Sequence, residues 1–256
     1  MKNMKLENKN ILITGASSGI GEALAGKLAK SNNLILVARN YEKLKLIKEQ
    51  NETGKYKIFP VQCDVSKKTE VEEAYVKIKK KFTAVDIAIL NSGVSYRMKV
   101  EKFNSGLAEE IFGTNVMGII YWVEQLIKDF VRERKGTIVG VSSLAGNRGY
   151  SGSSFYSASK AAVSIYLEGL RNELKKYNVK VLTVKPGFVK TPMTDKNKFP
   201  MPFIISPEKA AGYIIRGIEK GKKIIAFPLP MVLIVKFIGA LPVSVYDFLA
   251  SKNKYE

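Results

Sequence analysis

The sequence predicts a doubly wound α/β domain: a mainly parallel, seven-stranded sheet with helices on both faces. Three observations carry that prediction. Seven short runs rich in β-branched residues alternate with amphipathic stretches; the runs are apolar almost throughout; and a glycine-rich turn joins the first run to the first helical stretch. Strands that are apolar on both sides belong to a sheet buried on both faces, and right-handed crossovers then place helices above and below it.

The strands are predicted at 11–14 (ILIT), 34–38 (LILVA), 57–62 (KIFPVQ), 86–91 (DIAILN), 136–142 (GTIVGVS), 180–185 (KVLTVK) and 222–227 (KKIIAF). Between them, apolar positions recur with helical spacing at 19–30, 41–51, 67–81, 106–132, 155–177 and 207–219. Ser206 before Pro207 is a strong start signal for the last of these, because serine caps the free N–H groups and proline suits the first helical position. In such a sheet ligands bind beyond the carboxyl ends of the strands, so chemistry is sought in the residues that follow them.

The chain has 256 residues, 46% of them apolar, which is ordinary for one globular domain. It contains no histidine and a single cysteine, Cys63. That removes Ser-His-Asp and Cys-His catalysis, histidine-based metal sites and internal disulfides, so no metal is expected and a reducing, cytoplasmic setting fits. Any proton transfer must use Tyr, Lys, Ser, Asp or Glu. The balance of 42 basic and 23 acidic residues gives +19. The lysines are spread over the polar faces of predicted helices with no nucleic-acid signature, so no specific nucleic acid is expected, only a general attraction to anions. The polar N-terminus shows no signal peptide.

The turn ITGASSGIGEAL follows the first strand. Gly15, Gly19 and Gly21 allow a tight turn, close approach of backbone to a ligand and close packing of helix on strand, and the helix start behind them favours a pyrophosphate. Placed between a strand and a helix at the head of an α/β chain, the cluster reads as a dinucleotide site that includes Ser17, Ser18 and Ile20. Where an acidic residue would hold the ribose of NAD, the second strand ends in VARN. Arg39 instead suits a 2′-phosphate, which makes NADP(H) the expected cofactor; Glu42 nearby keeps NAD(H) open.

Tyr156 and Lys160 stand four residues apart in a predicted helix and so share a face. A tyrosine with an ordinary pKa of about 10 is a poor acid at neutrality, and a lysine ammonium beside it lowers that value. Ser143, ending the fifth strand, is placed to hold the same substrate oxygen; the neighbouring Ser142 is not excluded.

The ordered set TGASSGIG, CDV, NSG, TNVMG, VSSLAG, YSASK and PGFVKT resembles the short-chain dehydrogenase/reductase family over roughly residues 9–226. The resemblance implies a Rossmann-like fold with Tyr156 as acid/base, Lys160 tuning it and binding the nicotinamide ribose, Ser143 as donor to the substrate oxygen, and Asn115 completing a proton relay. It further implies that Asp64 and Val65 contact the adenine, Asn91 and Gly93 line the cofactor, and Pro186, Gly187, Val189 and Thr191 pass the nicotinamide. Ser92 stands where the family commonly has alanine. The implied activity is interconversion of a carbonyl and an alcohol with NADP(H), with a homodimer or homotetramer as the assembly.

The expected organisation is a single domain over 1–256, with its core at 9–226, a substrate region at 192–221 and an apolar C-terminal extension at 227–256. The latter two are rich in Phe, Met, Ile and Leu, which points to a hydrophobic carbonyl or alcohol as substrate. The extension's uncharged run, 224–235, is too short to span a bilayer, which leaves lid, subunit interface or peripheral membrane contact as its roles. The alternative to catalysis is an NADPH-bound regulator or membrane-recruited sensor on the same fold.

Overall fold

All seven apolar runs pair into one sheet. The computed structural model describes residues 5–252, so the first and last four residues of the expected 1–256 domain lie outside the described residues. The strands are β1 (Asn10–Thr14), β2 (Asn33–Ala38), β3 (Ile58–Gln62), β4 (Ile87–Leu90), β5 (Thr137–Val141), β6 (Lys180–Pro186) and β7 (Ile224–Phe227). Their order is β3-β2-β1-β4-β5-β6-β7 and every pairing is parallel. The order reverses direction at β1 and β4, which leaves a crevice beyond their carboxyl ends.

Alternation along β1 explains why both faces must be covered. Ile11 and Ile13 point into one apolar layer, closed by Leu24 of α1 (Gly19–Leu28), Leu44 of α2 (Tyr41–Asn51) and neighbouring side chains. Leu12 points into the other layer, which receives Val71 and Ile78 of α3 (Lys68–Lys79). Each such side chain contributes about 1.5–3 kcal/mol when fully buried.

The long predicted helix at 106–132 is a continuous helical run with a change of pitch. It comprises α4 (Gly106–Phe112), a π-helical turn at Gly113–Met117 and α5 (Gly118–Arg132). The wider turn rotates the helix phase, so Asn115 is wholly buried beside the site while Trp122, Leu126 and Phe130 of α5 enter the second apolar layer. Gly118 lies hard against Val65: a Cβ there would come 2.8 Å from the valine Cγ2.

α6 (Ser154–Leu174) continues into a 3-10 turn at Lys175–Tyr177, and α7 (Pro207–Glu219) matches its predicted bounds, with the Ser206 hydroxyl accepting from the Lys209 N–H at 3.2 Å. Two helices were not assigned from the sequence: α8 (Leu229–Ala240) and α9 (Val243–Lys252). α8 is apolar nearly all round, so it carries no helical period to read. The axes of α8 and α9 bend by 118° across the break, and among the described residues no single helix is long and apolar enough to cross a membrane.

Candidate active site

β1 delivers the chain into the crevice through Thr14, whose hydroxyl accepts from the backbone N–H groups of Asn91 (3.0 Å) and Ser92 (3.1 Å). The Asn91 amide donates in turn to the carbonyls of Thr14 (3.1 Å) and Gly15 (3.3 Å). These bonds lock the end of β4 to the glycine turn, which is the physical use of an asparagine at that position. Gly15 and Gly19 take φ of +65° and +57°, a region that strains any side chain, and a Cβ on Gly21 would stand 2.1 Å from the Gly15 carbonyl oxygen. Gly21 is therefore a packing residue. It is not among the residues lining the cleft, whereas Gly15, Ser17, Ser18, Gly19 and Ile20 are.

Ser18 begins α1 without a capping hydrogen bond from its side chain, so the first N–H groups of the helix face the cleft free of a competing hydroxyl. With left-handed Gly15 ahead of the helix and left-handed Gly19 at its first position, this cradle fits the pyrophosphate of a dinucleotide. Arg39, exposed at the end of β2, lines the same cleft. Glu42 is turned away and pairs with Lys45 at 2.7 Å. The Asp64 carboxylate accepts from the N–H (3.0 Å) and hydroxyl (2.7 Å) of Ser66, an Asx turn that leaves Asp64 and Val65 on the cleft wall.

The cleft encloses about 480 Å³, and its other walls include Asn91, Gly93, Ser143, Tyr156, Lys160, Pro186, Gly187, Val189 and Thr191. Thr191 reaches over the glycine turn, with its Cγ2 2.8 Å from where a Gly19 Cβ would sit. The sequence set thus meets in one place; of the expected residues, only Gly21 and Asn115 stand behind the lining.

The two serines separate cleanly. Ser142 donates to the Lys160 carbonyl at 2.6 Å and bonds Ser164 at 2.8 Å, which ties β5 to α6. Ser143 caps the 3-10 turn Leu144–Asn147, accepting from the Ala145 N–H at 3.1 Å; its hydroxyl donates to the Pro186 carbonyl at 3.4 Å and stands beside Tyr156. The turn is pressed onto α6: a Cβ on Gly146 would lie 2.7 Å from the Lys160 carbonyl carbon.

Lys160 is buried, and its Nζ donates to the Val141 carbonyl at 3.0 Å and lies 5.8 Å from the centre of the Tyr156 ring. Burial lowers its pKa from 10.5 to about 8. Tyr156 behaves differently from the sequence expectation. Burial raises its pKa, opposed by the hydrogen bond with Ser143, and the ammonium engaged by Val141 produces no lowering in this arrangement. Asn115 Oδ1 accepts from the Val94 N–H (2.8 Å), and its amide donates to the Val94 carbonyl (3.1 Å) and the Ser159 hydroxyl (3.0 Å). Asn115 Oδ1 and Lys160 Nζ both abut Gly93, within 3.2 and 3.3 Å of a Cβ built there. A Cβ at that position would press on both, and they would have to give by a few tenths of an ångström.

Two participants were missed by sequence reasoning. Ser159 links Asn115 to the Tyr156 carbonyl, to which its hydroxyl donates at 2.7 Å. Tyr96 lines the cleft and donates to Glu110 on α4. The only signal for Ser159 is a polar residue on the apolar face of its helix, while Tyr96 lies in a loop without periodicity.

A model of the short chain dehydrogenase family matches residues 9–200. The chain belongs to that family. It is an oxidoreductase acting on a CH–OH or C=O group with NAD or NADP. An uncharacterized oxidoreductase of Myxococcus xanthus is 31% identical over 249 residues, covering 97% of this chain and 98% of its own. An NADP-dependent 3-hydroxy acid dehydrogenase of Schizosaccharomyces pombe is 34% identical over 192 residues, covering 73% and 74%. The fold is shared with a short-chain dehydrogenase/reductase of Burkholderia phymatum solved in complex with NAD, at a TM-score of 0.84 and 22% identity over 91% of this chain and 93% of that one.

Proposed function

We propose that the protein is an NADP(H)-dependent reductase or dehydrogenase that interconverts a carbonyl and an alcohol on a hydrophobic small molecule. The observation that carries this reading is the convergence of Ser143, Tyr156 and Lys160 on the cleft that the glycine turn opens. In the reducing direction the Ser143 hydroxyl holds the substrate oxygen and Tyr156 gives it a proton, while the hydride to carbon is the chemistry that a bound nicotinamide supplies. Lys160, its Nζ 5.8 Å from the centre of the Tyr156 ring, is assigned to the nicotinamide ribose. Asn115 and Ser159 hold the segment that carries Tyr156 against the Val94 backbone.

Several features support the finer assignments. Arg39 makes no ion pair among the described residues and stands on the cleft wall, while Glu42 is engaged elsewhere; this favours NADP(H) over NAD(H). Asp64 and Val65 are assigned to the adenine, and Pro186, Gly187, Val189 and Thr191 to the nicotinamide side. Region 192–221 is the substrate wall, supported by Pro192 and Met193 in the lining, and 227–256 is the apolar extension. A homodimer or homotetramer in the cytoplasm completes the reading.

The test is NADPH oxidation by the purified chain over carbonyl compounds graded in hydrophobicity, with 3-oxo acids included, and Tyr156→Phe beside it. Turnover that rises with hydrophobicity and falls at least about a thousandfold in the variant, with NADPH binding retained, is the expected result. Undiminished turnover in Tyr156→Phe overturns the assignment, and absence of turnover throughout returns the regulator reading.

A further inference from the structure

α8 presents an apolar stripe to solvent. Leu229 is 68% exposed, Leu233 58% and Phe237 69%, at successive i, i+4 positions. The side chains between them, Val232 and Val235, are buried and hold the helix to the body. α9 adds exposed Val243 and Leu249. The pair is docked rigidly, because Arg148 donates to the carbonyls of Gly239 and Leu241 and stacks on the Tyr246 ring, whose hydroxyl donates to the Gly149 carbonyl.

A second feature adjoins the stripe. An open groove of about 530 Å³ between α6 and α8 is lined by Ile165, Lys185, Lys236 and Ala240 among others. Neither lysine makes a direct ion pair among the described residues; half-burial lowers the pKa of Lys185, opposed by the nearby Glu168 carboxylate. Ile165 beside them is 70% exposed. A half-buried ammonium without a direct ion pair, sharing a groove with a second lysine and an apolar wall, suits an anion with a hydrocarbon attached.

We propose that α8, α9 and the Lys185–Lys236 groove form a peripheral docking face for an anionic phospholipid surface, with Leu233 and Phe237 entering the acyl boundary and the two lysines taking a headgroup phosphate. The charge of +19 complements such a surface. α8 and α9, each short and meeting at a 118° bend, would then lie in the membrane plane. The loop that anchors the pair, through Arg148 and Gly149, begins at Ser143, so docking brings the cleft to the bilayer. This inference stands apart from the catalytic reading, because its readout is binding.

The experiment is co-sedimentation of the full chain with vesicles of phosphatidylcholine alone and of phosphatidylcholine with phosphatidylglycerol. Two variants run alongside: Leu233→Ser with Phe237→Ser, and Lys185→Gln with Lys236→Gln. Binding to anionic vesicles only, reduced about tenfold or more in each variant while NADPH binding is kept, is expected. Phe237→Ser alone serves if a double variant does not fold. Absence of binding by the unaltered chain overturns the proposal. So does equal binding by both variants, which is adsorption by net charge, or an oligomer that Phe237→Ser dissociates while vesicles are ignored.

Discussion

Two regions of the molecule are built on opposite principles. At the glycine turn, backbone meets backbone with no spare volume: Gly21 faces the Gly15 carbonyl, Asn91 ties β4 to the turn, and Gly93 separates Asn115 from Lys160. At the C-terminal end, α8 and α9 rest on few buried residues and expose large apolar side chains. The first region leaves little room for an added atom, so its geometry is closed. The second leaves apolar surface open in place of exact contacts.

A matched pair of substitutions probes this contrast most severely. Gly21→Ala drives a methyl group to 2.1 Å from a backbone oxygen that cannot yield, and a loss of about 3 kcal/mol or more in unfolding free energy is expected. Gly239→Ala, in α8, meets nothing within 4 Å and gains about 0.5–1 kcal/mol from helix propensity. Chemical denaturation of both variants checks the pair; equal effects would erase the distinction.

The next effect is electrostatic. Lys160 has a folded pKa near 8 against 10.5 unfolded, so the unfolded chain binds more protons between those values and stability rises with pH across that window. Below pH 8 the buried charge costs about 3 kcal/mol. Lys160→Met removes the dependence, so its stability advantage over the unaltered chain, measured by denaturation from pH 7 to 10.5, shrinks as pH rises. A constant difference would mean that the ammonium is not buried as described.

The smallest effect separates cofactors. Arg39→Ala weakens NADPH binding by about ten- to a hundredfold and leaves NADH nearly unchanged, as removal of one charge-assisted contact to a phosphate predicts. Parallel titrations decide it, and tighter NADH binding by the unaltered chain would overturn the NADP(H) preference.

All seven strands and six of the helical stretches were legible because apolar period and turn residues are local signals; α2 and α7 match their predicted bounds. The π turn at Gly113–Met117 was not legible, since a one-residue change of pitch leaves the apolar pattern of a long helix nearly intact. α8 was missed for lack of any polar face. Within the site, Tyr156, Lys160 and the glycines were readable from spacing, whereas the separate duties of Ser142 and Ser143 depended on which hydroxyl meets the Lys160 carbonyl.

The sequence by itself determined the fold class, the family and the residues available for chemistry, because helical period, strand apolarity and glycine placement are properties of neighbours along the chain. Only the tertiary structure decided that burial raises the Tyr156 pKa while lowering that of Lys160, that Ser159 joins Asn115 to the tyrosine segment, and that α8 leaves an apolar stripe beside a groove holding two lysines. Burial, desolvation and hydrogen-bond partners are set by residues far apart in sequence, and they exist only once the sheet has brought those residues together.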